Sequence, residues 1–411
     1  MRLEVQQFGE VVGWLESTTD RGIIFRYDSE YALRPEAHAL SFSLPLRENP
    51  FPQAQALPFF AGLLPDGDLR RRIADLLHIS EHSTIRLLEA LGGECAGTVS
   101  LVPVEPDADK SDSSTEGYEE ITVGQLAAMI RERERFPLLI AGGGARLSLA
   151  GAQEKIPLYK QNDRWYRPLG GAPSSHILKP ASSAFPDIVT NEFTCLKLAE
   201  VFGLPVPKAE ILNFGIPILV VERFDRISKE DGSVARLHQE DFCQALGIMP
   251  DRKYQADGGP GFADIVRVLR RASTSPIIDL ELLIKIALFN LLIGNCDAHG
   301  KNFSLLYREN KCGLSPFYDL VSTTLWPELD TKLSMRFGKK YKLEKIDRSD
   351  LAVFAQDLGV KTVAVTERLE SLLAAAPGAW ELALSLKEPE LDHGLIERMR
   401  DGWEKRAEQL L

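Results

Sequence analysis

The feature that most restricts the fold of this chain is a long apolar segment that ends in a cluster of polar residues. Across residues 280–292, apolar side chains recur at the i, i+3, i+4 spacing of a helix face. The segment is too short to span a bilayer. Gly294 is a typical helix-ending residue, and Asp297 and Asn302 follow it in the stretch IGNCDAHGKNFS. The sequence therefore predicts a buried helix that leads into a polar loop.

The spacing of the polar residues in this loop is that of a kinase catalytic loop. In protein kinases an Asp accepts the proton of the substrate hydroxyl, and an Asn further along the loop holds a magnesium ion. Asp297 and Asn302 have this spacing, and the charge of Lys301 between them can neutralise a transferring phosphoryl group. Taken singly, such an Asp or Asn is more typical of a helix cap or a turn. Their combination favours a site for a nucleotide and a metal ion.

A second aspartate follows at the distance that a kinase requires. Asp319 lies 22 positions after Asp297, in the stretch LSPFYDLVS. A hairpin with strands at residues 303–307 and 313–316 places Asp319 at the end of its second strand, where a metal-binding Asp is expected. The chain departs from the kinase pattern at two points. Cys296 stands where kinases have Arg, and the second motif reads Tyr-Asp-Leu instead of Asp-Phe-Gly.

An upstream stretch is a candidate for binding phosphate groups. Residues 148–155, SLAGAQEK, lead into a strand that is predicted to begin at Lys155. The small residues Ala150, Gly151 and Ala152 allow backbone N–H groups to approach phosphate oxygens. The three glycines at 142–144 predict a flexible hinge instead.

Two further segments fit the nucleotide-binding part of a kinase. Lys179 ends the strand-like segment HILKP and fits the phosphate-binding lysine, with Glu192 as its candidate partner. An ordinary exposed lysine and a charge in the first turn of a helix remain open as alternatives. Glu222, Arg223 and Phe224, in VVERFDR, are candidates for the hinge that binds the adenine edge. The alternative for this segment is a strand end with a charged cluster.

The chain divides into four predicted parts. They are a small β-containing module at residues 1–104, an acidic, Ser-rich linker at 105–117, a β-rich lobe at 118–236 and a helical lobe at 237–411. Within the module, strands are predicted at 10–15, 22–27 and 39–46, and helices around 69–77 and 82–91. Further helices are predicted at 122–135 and 191–202, and strands at 155–159, 176–179 and 216–221. This order predicts an α+β, protein-kinase-like fold with two lobes.

Composition limits the location of the protein and its partners. The formal net charge of −11 does not attract nucleic-acid phosphates, so any DNA contact is expected to depend on a basic partner. The five cysteines are scattered and form no CxxC pair, which argues against a disulfide framework or a structural zinc site. The N-terminus has no signal-peptide pattern. These features predict a cytoplasmic protein without membrane contact.

Several stretches, in order along the chain, resemble the HipA family, the kinase component of bacterial type II toxin–antitoxin pairs. Between about residues 140 and 340 they are SLAGAQEK, HILKP, NEFTCLKLAE, VERFDR, LHQEDFCQALGI, YQADGGPG, IGNCDAHGKNFS and PFYDLVS. In the first module, PFFAGLLPDGDLR resembles the N-terminal subdomain of the family. The C-terminal end of the chain matches only loosely.

The resemblance implies a Ser/Thr protein kinase that uses ATP and Mg²⁺. It implies Asp297 and Lys301 as catalytic residues and Asn302 and Asp319 as magnesium ligands. The ATP-binding residues that it implies are Ala150, Gly151, Ala152, Gln153, Glu154, Lys155, Lys179, Glu222, Arg223, Phe224, His299, Asn302, Tyr318 and Asp319. The implied substrate is a serine of an aminoacyl-tRNA synthetase, glutamyl-tRNA synthetase above all. Its phosphorylation would arrest translation and promote persistence.

The resemblance also implies regulation and a partner. Autophosphorylation of Ser148 would eject the phosphate loop and inactivate the kinase, since a phosphoserine carries about −1.5 to −2 charges that repel a nucleotide. Arg146 or Lys179 is expected to hold that phosphate. The implied partner is a HipB-like, dimeric helix-turn-helix antitoxin, which would make most of the contacts to operator DNA.

Two other functions stay open at this point. The chain could be a catalytically weak scaffold or co-repressor subunit of a toxin–antitoxin DNA complex, although Lys179, Asp297, Asn302 and Asp319 are all present. It could also be a small-molecule kinase of the phosphoinositide or aminoglycoside type, which shares the Asp and Asn roles. Metal-dependent hydrolysis by the residues around His299 is disfavoured, because neighbours in one turn seldom converge on one ion.

Overall fold

The fold is that of an α+β protein whose strands and helices are distributed along the whole chain. The structure, a computed structural model, describes residues 1–19, 22–104, 117–133, 135–139, 146–151, 153–388 and 390–411. Within them the strands are β1 (Arg2–Gln7), β2 (Glu10–Ser17), β3 (Ile23–Tyr27), β4 (Val99–Pro103), β5 (Gly117–Ile121), β6 (Ile156–Gln161), β7 (Arg164–Leu169), β8 (His176–Pro180), β9 (Ala209–Asn213), β10 (Pro217–Glu222), β11 (Arg226–Ser228), β12 (Val234–Arg236), β13 (His238–Asp241), β14 (Ser304–Arg308), β15 (Lys311–Leu314), β16 (Lys332–Phe337) and β17 (Lys340–Lys342).

The helices lie between these strands and make up most of the C-terminal part. They are α1 (Ser29–Ala32), α2 (Gln53–Gly62), α3 (Gly67–Leu76), α4 (Thr84–Leu91), α5 (Val123–Glu132), α6 (Ile188–Val201), α7 (Phe242–Leu246), α8 (Phe262–Ala272), α9 (Pro276–Ile293), α10 (Arg348–Leu358), α11 (Thr362–Ser385) and α12 (His393–Leu410). Among the described residues, no helix is both long enough and apolar enough to cross a membrane.

The chain forms two compact units that are each discontinuous in sequence. The first unit comprises Met1–Pro180, Val221–Asp251 and Leu306–Arg308, and the second comprises Ala181–Val220, Arg252–Leu305 and Glu309–Leu411. The division of the chain into four parts at residues 104, 117 and 236 stays a prediction.

The first unit begins with a four-stranded antiparallel sheet in the order β3-β2-β1-β4. Side chains of β1 alternate between solvent and a core, so Leu3 and Val5 are buried. Helices α2, α3 and α4 contribute to this core, in which the rings of Phe25 and Phe60 lie 5.4 Å apart. Leu147, which immediately precedes the predicted phosphate loop, is buried in the same core. The loop is therefore continuous with the packing of the N-terminal module.

A second antiparallel sheet of the first unit contains the strands β5-β7-β6-β8 in that order. Strand β6 directly follows the predicted phosphate loop, and β8 carries Lys179 near its end. Pairing of Ile156 with Leu178 fixes the register between these two strands. The sheet thereby gives both predicted phosphate-binding elements a rigid support.

The second unit is built around α9. Pro276 opens this helix, where its missing N–H is not needed, and Gly294 closes it with φ +73°, a conformation that favours glycine. Helices α11 and α12 pack against α9. The buried Trp403 of α12 stacks on Phe202 with ring centroids 5.3 Å apart. This apolar packing holds α9, after which the predicted catalytic loop starts.

The predicted α+β fold is confirmed, together with most of the predicted helices and strands. The strand predicted at 39–46 is wrong, because residues 41–44 form a turn in which the N–H of Leu44 bonds to the carbonyl of Ser41. The hairpin β14–β15 is confirmed, although β15 begins and ends two residues earlier than predicted. The prediction that Asp319 stands at the end of this strand is wrong, because β15 ends at Leu314 and irregular backbone at residues 315–318 leads to Asp319. The hinge predicted at 142–144 and residues 105–116 of the linker lie outside the described residues, and Gly117 already belongs to β5.

Candidate active site

Side-chain hydrogen bonds hold the backbone of the predicted catalytic loop. The N–H of Cys296 donates to the Thr323 hydroxyl at 2.9 Å, and that hydroxyl donates to the carbonyl of Gly294 at 3.0 Å. The N–H of Asp297 donates to Oδ1 of Asn295 at 3.2 Å. Every residue between the end of α9 and Asp297 is thus fixed by a contact that sequence spacing alone does not reveal.

Asp297 has the surroundings of a general base. Its side chain is open to solvent, and its Oδ1 accepts a 3.0 Å hydrogen bond from the Tyr254 hydroxyl. Neighbouring protein removes part of the water around this exposed carboxylate and thereby raises the pKa of Asp297, while the nearby charge of Lys253 and the hydrogen bond from Tyr254 oppose the rise. A carboxylate with a raised pKa is a better proton acceptor, as a general base requires.

Asn302 and Asp319 lie side by side. Nδ2 of Asn302 donates to Oδ2 of Asp319 at 3.3 Å, and its Oδ1 accepts from the N–H of His299 at 3.1 Å. Asp319 has φ +52°, a left-handed conformation that is uncommon for a residue with a side chain and that is often found at functional sites.

These two side chains fit a magnesium ion, which prefers oxygen ligands and takes one or two protein ligands besides phosphate oxygens and water. The left-handed backbone of Asp319 is an observation in favour of this role. Within the described residues there is no group of three or more His, Cys, Asp or Glu side chains that could hold a metal ion. A site with Asn302 and Asp319 therefore depends on ligand oxygens to complete the coordination.

His299 and Lys301 are buried in the same loop. Burial lowers the pKa of His299 well below its usual value, and the charges of Lys253 and Lys301 add to this effect. The imidazole is therefore neutral at pH 7. Its Nδ1 has no hydrogen-bond partner in the described part of the chain, so this nitrogen can bind a polar group of a ligand.

Tyr318 contributes to the loop through its hydroxyl. The hydroxyl donates to the carbonyl of Lys301 at 2.8 Å and lies 2.6 Å from the Ser304 hydroxyl. This contact joins the residue before Asp319 to the catalytic loop. The five predicted residues Asp297, His299, Asn302, Tyr318 and Asp319 are thus parts of one connected arrangement in the second unit.

The predicted phosphate loop in the first unit is attached to the N-terminal module. Ser148 is fully buried, and its hydroxyl donates to the carbonyl of Leu63 at 2.7 Å. Its N–H donates to the carbonyl of Glu94 at 2.9 Å, and the N–H of Asp66 donates to the carbonyl of Gly151 at 3.1 Å. Backbone from two separate places in the module therefore sets the conformation of the loop.

Gly151 is the residue of the loop that most clearly requires glycine. Its φ is +112°, and a Cβ added there would lie 2.8 Å from Nζ of Lys155. The Lys155 ammonium donates a hydrogen bond to the carbonyl of Ala150, which closes the loop on itself. Ala152 lies outside the described residues, and Gln153 is half-buried.

Glu154 has a structural contact that the prediction of ATP binding did not include. Its Oε1 forms a 2.9 Å ion pair with Arg72, and its Oε2 accepts from the N–H of Leu138 at 3.1 Å. Burial raises the pKa of Glu154. This carboxylate connects the loop to α3, and direct binding of ATP by Glu154 stays a prediction.

The candidate hinge adjoins a buried ion cluster. Arg223 bonds Glu94 at 2.9 Å and Asp225 at 2.8 Å, and Arg226 also pairs with both carboxylates. All four side chains are buried, and the cluster holds the pKa of Asp225 well below its usual range because the two arginines outweigh the effect of burial. The N–H of Arg223 donates to the carbonyl of Ser175, so this N–H is not available to an adenine ring.

Sequence reasoning missed several residues that hold the site. Glu94 and Thr323 carry no local pattern that distinguishes them, and Tyr254 lies in the stretch YQADGGPG, for which the resemblance implied no role. The side-chain amide of Asn191 in α6 makes two hydrogen bonds to the backbone of Ser322. It accepts from the N–H of Ser322 at 2.8 Å and donates to the carbonyl of Ser322 at 3.0 Å. The charged stretch VERFDR was a signal for the ion cluster.

Lys179 lies in the first unit and Glu192 lies in the second unit, and both residues are buried. Their pairing stays a prediction.

The chain matches two family models and several known proteins. The models are the HipA N-terminal domain over residues 3–102 and the HipA-like C-terminal domain over residues 147–380. A putative kinase of Sinorhizobium fredii, Y4mE, is 39% identical over 376 residues, which cover 90% of this chain and 89% of that protein. The serine/threonine-protein kinase toxin HipA of Shewanella oneidensis is 30% identical over 334 residues, which cover 78% of this chain and 75% of the toxin.

A solved structure has the same fold. A chain of the Shewanella oneidensis complex of HipA, HipB and operator DNA superposes with a TM-score of 0.85 at 26% sequence identity, covering 99% of this chain and 97% of that chain. The family models, the relatives and this structure agree with one another. The chain belongs to the HipA-like family of toxin kinases.

Proposed function

We propose that this protein is a Ser/Thr protein kinase that transfers the γ-phosphate of ATP to a serine of a protein substrate. The observation that carries the proposal is the arrangement of Asp297 and Asn302 in one loop beside Asp319, which lies five residues after the end of β15. Asp297 is open to solvent, the other two side chains are 3.3 Å apart, and Asp319 has a left-handed backbone. Such an arrangement combines a general base with a pair of oxygen ligands.

The proposed reaction is a direct displacement at the γ-phosphorus. The serine oxygen forms a bond to the γ-phosphorus while the bond from that atom to the β,γ-bridging oxygen breaks, and ADP leaves. Asp297 takes the proton of the serine hydroxyl. Magnesium, when bound by Asn302 and Asp319, would neutralise charge on the phosphates. Lys301 would add a second positive charge at the transferring group.

Nucleotide binding is assigned to the first unit. The backbone of residues 150–153 is proposed to contact the phosphates, with Lys155 and Lys179 supplying charge. Glu222 and Phe224 are proposed as hinge residues for the adenine. Arg223 would act there only through its carbonyl, because its N–H and guanidinium are already bonded within the protein.

The proposed substrate is an aminoacyl-tRNA synthetase, with glutamyl-tRNA synthetase as the first candidate. This choice is supported by membership of the HipA-like family and by the relative named as a kinase toxin. Phosphorylation of a synthetase would arrest translation and promote persistence. Autophosphorylation of Ser148 is proposed as the means of inactivation.

The proposed partner is a HipB-like helix-turn-helix antitoxin. The structural relative was solved with HipB and operator DNA, which supports an equivalent assembly here. The net charge of −11 supports a complex in which the antitoxin makes most of the DNA contacts.

The test is phosphate transfer from labelled ATP in a bacterial lysate with Mg²⁺, followed by mass spectrometry of the phosphorylated sites. The protein carries Ser148→Ala, so that its loop stays unmodified, and is compared with the same protein carrying Asp297→Asn. We expect a labelled protein whose phosphorylation falls by at least about 100-fold in the Asp297→Asn variant, because the base is removed without a change of shape.

Two outcomes would replace this proposal by another. Transfer to a lipid or an aminoglycoside, and not to protein, would identify a small-molecule kinase. Binding of ATP without any transfer would identify a scaffold or co-repressor subunit. Equal transfer by both variants would remove Asp297 from the mechanism.

A further inference from the structure

Tyr254 lies outside the residues that the kinase pattern identifies, yet it contacts the predicted base directly. Its hydroxyl donates a 3.0 Å hydrogen bond to Oδ1 of Asp297. Each carboxylate oxygen has two lone pairs, so the carboxylate can still accept the proton of an acceptor hydroxyl beside its bonds with Tyr254 and Ser334. The terminal torsion of an Asp side chain has a broad energy minimum, and a fixed donor therefore restricts the rotation of the carboxylate.

The segment that carries Tyr254 is held in place by contacts that do not involve Asp297. Tyr254 precedes a 3₁₀ turn at Gln255–Asp257, and its carbonyl accepts from the N–H of Gly259 at 2.9 Å. Oε1 of Gln255 accepts from the N–H of Arg336 in β16 at 2.8 Å. The tyrosine is thus held by its own turn and by a neighbouring strand. Its hydroxyl is therefore a fixed hydrogen-bond donor to the Asp297 carboxylate.

Glycines make this turn possible. Gly258 has φ +92°, and a Cβ on Gly259 would lie 2.3 Å from the carbonyl oxygen of Arg252. That contact is with backbone, which cannot move aside as a flexible side chain can. The GGPG stretch therefore serves to fold the segment tightly enough to present Tyr254 to the catalytic loop.

The same segment touches the catalytic loop at a second place. The Tyr254 ring packs edge-on against His299 with centroids 5.5 Å apart, and the N–H of Gly300 donates to the carbonyl of Lys253 at 3.4 Å. Lys253 also places its ammonium 5.3 Å from the Tyr254 ring. The segment thus contacts the predicted catalytic loop at Asp297 and again at residues 299–300.

We infer that Tyr254 is a positioning residue for phosphate transfer, which holds the Asp297 carboxylate in the orientation that accepts the proton of the acceptor hydroxyl. This inference rests on the proposed kinase function. The tyrosine itself neither takes the proton nor touches the phosphate. Loss of its hydroxyl should therefore slow the transfer step and leave ATP binding intact.

The test compares Tyr254→Phe and Tyr341→Phe, each made in the Ser148→Ala protein, with the Ser148→Ala protein alone. The acceptor is the protein that the lysate experiment labels, or a peptide from it. Tyr341 packs against Lys332 in the β16–β17 hairpin and serves as a matched loss of one hydroxyl. We expect kcat to fall about tenfold in Tyr254→Phe, since a small misplacement of a catalytic group slows a reaction by one to two orders of magnitude. The KM for ATP should stay within about twofold.

The outcomes separate this inference from the function on which it rests. An unchanged kcat in Tyr254→Phe overturns it. A fall in kcat with an equal weakening of ATP binding and a lower melting temperature assigns Tyr254 a merely structural role and also overturns it. If the Ser148→Ala protein itself transfers no phosphate, the proposed function fails first. Tyr341→Phe should match the Ser148→Ala protein in every measurement.

Discussion

A single buried hydroxyl, that of Ser148, shows what the proposed inactivation demands of the structure. It is fully buried and donates to the carbonyl of Leu63. A phosphate at this atom would place about two negative charges in a site without solvent. Arg146 would have to leave the carbonyls of Glu89 and Leu101, to which it donates at 2.9 and 2.8 Å, before it could hold the phosphate. Phosphorylation thus requires the loop to leave its place.

The Ser148→Ala variant should therefore keep its kinase activity during incubation with ATP. The variant loses one buried hydrogen bond, so we expect its free energy of unfolding to fall by only about 1 kcal/mol. After incubation with ATP and Mg²⁺, wild type should gain one phosphate and lose activity, while the variant should gain none at this loop and stay active. Intact-mass measurement and thermal unfolding check both points. Equal inactivation of the two proteins would contradict the prediction.

At the scale of elements, the turn at residues 41–44 explains why one strand prediction is wrong. Its apolar and serine-containing sequence satisfies the pattern of a strand, but its polar groups bond to side chains from distant elements. Glu240 of β13 accepts from the N–H of Phe42 at 2.9 Å, from the Ser41 hydroxyl, and from the Tyr307 hydroxyl at 2.6 Å. No local window of sequence contains this information, because Glu240 is about 200 positions away.

The same reason limits what could be predicted of the site. Asp297, Asn302 and Asp319 follow from spacing, because one loop and one hairpin place them together. Tyr254 and Glu94 act through contacts between segments that are far apart in sequence, and they became visible only in the structure. Helices such as α4 and α9 were predictable because their apolar faces repeat within a single segment.

Glu240 should make stability depend on pH. Burial raises the pKa of this carboxyl to about 7, above its ordinary value. Between about pH 4.5 and 7 the unfolded chain has already released this proton while the folded protein keeps it, so stability falls as pH rises across this window. Glu240→Gln should remove this slope, so between pH 5 and pH 8 wild type should lose about 2 to 3 kcal/mol more unfolding free energy than the variant. Urea unfolding at pH 5 and pH 8 measures it.

A second variant should change the pH dependence of stability in the opposite direction to Glu240→Gln. The Tyr307 hydroxyl donates to Glu240 and lowers its pKa. Tyr307→Phe should therefore raise the pKa further and steepen the loss of stability with rising pH. Identical slopes in wild type and both variants would show that Glu240 does not titrate in this window.

For the whole molecule, a buried ion cluster joins the N-terminal module to the residues around the candidate hinge. Glu94 of the module pairs with Arg223 and Arg226, while its own carbonyl accepts from the N–H of Ser148. One residue therefore connects the module, the candidate hinge and the predicted phosphate loop. The module is therefore packed into the unit to which we assign nucleotide binding.

Glu94→Gln should be far more damaging than the same change at the surface. Removal of one carboxylate leaves two buried arginines with Asp225 alone, and breaking a buried ion network in this way costs about 3 to 5 kcal/mol of unfolding free energy. Glu119→Gln is the matched control, because Glu119 also pairs with an arginine at 2.9 Å but is 55% exposed. We expect it to cost less than about 1 kcal/mol.

The two variants also differ in what they should do to ATP binding. Because Glu94 supports the phosphate loop and the hinge together, Glu94→Gln should weaken ATP binding at temperatures where the protein is still folded, whereas Glu119→Gln should not. Calorimetric titration with ATP, alongside urea unfolding, separates loss of fold from loss of affinity. A Glu94→Gln protein that is destabilised but binds ATP as tightly as wild type would show that the cluster holds the module in place without shaping the nucleotide site.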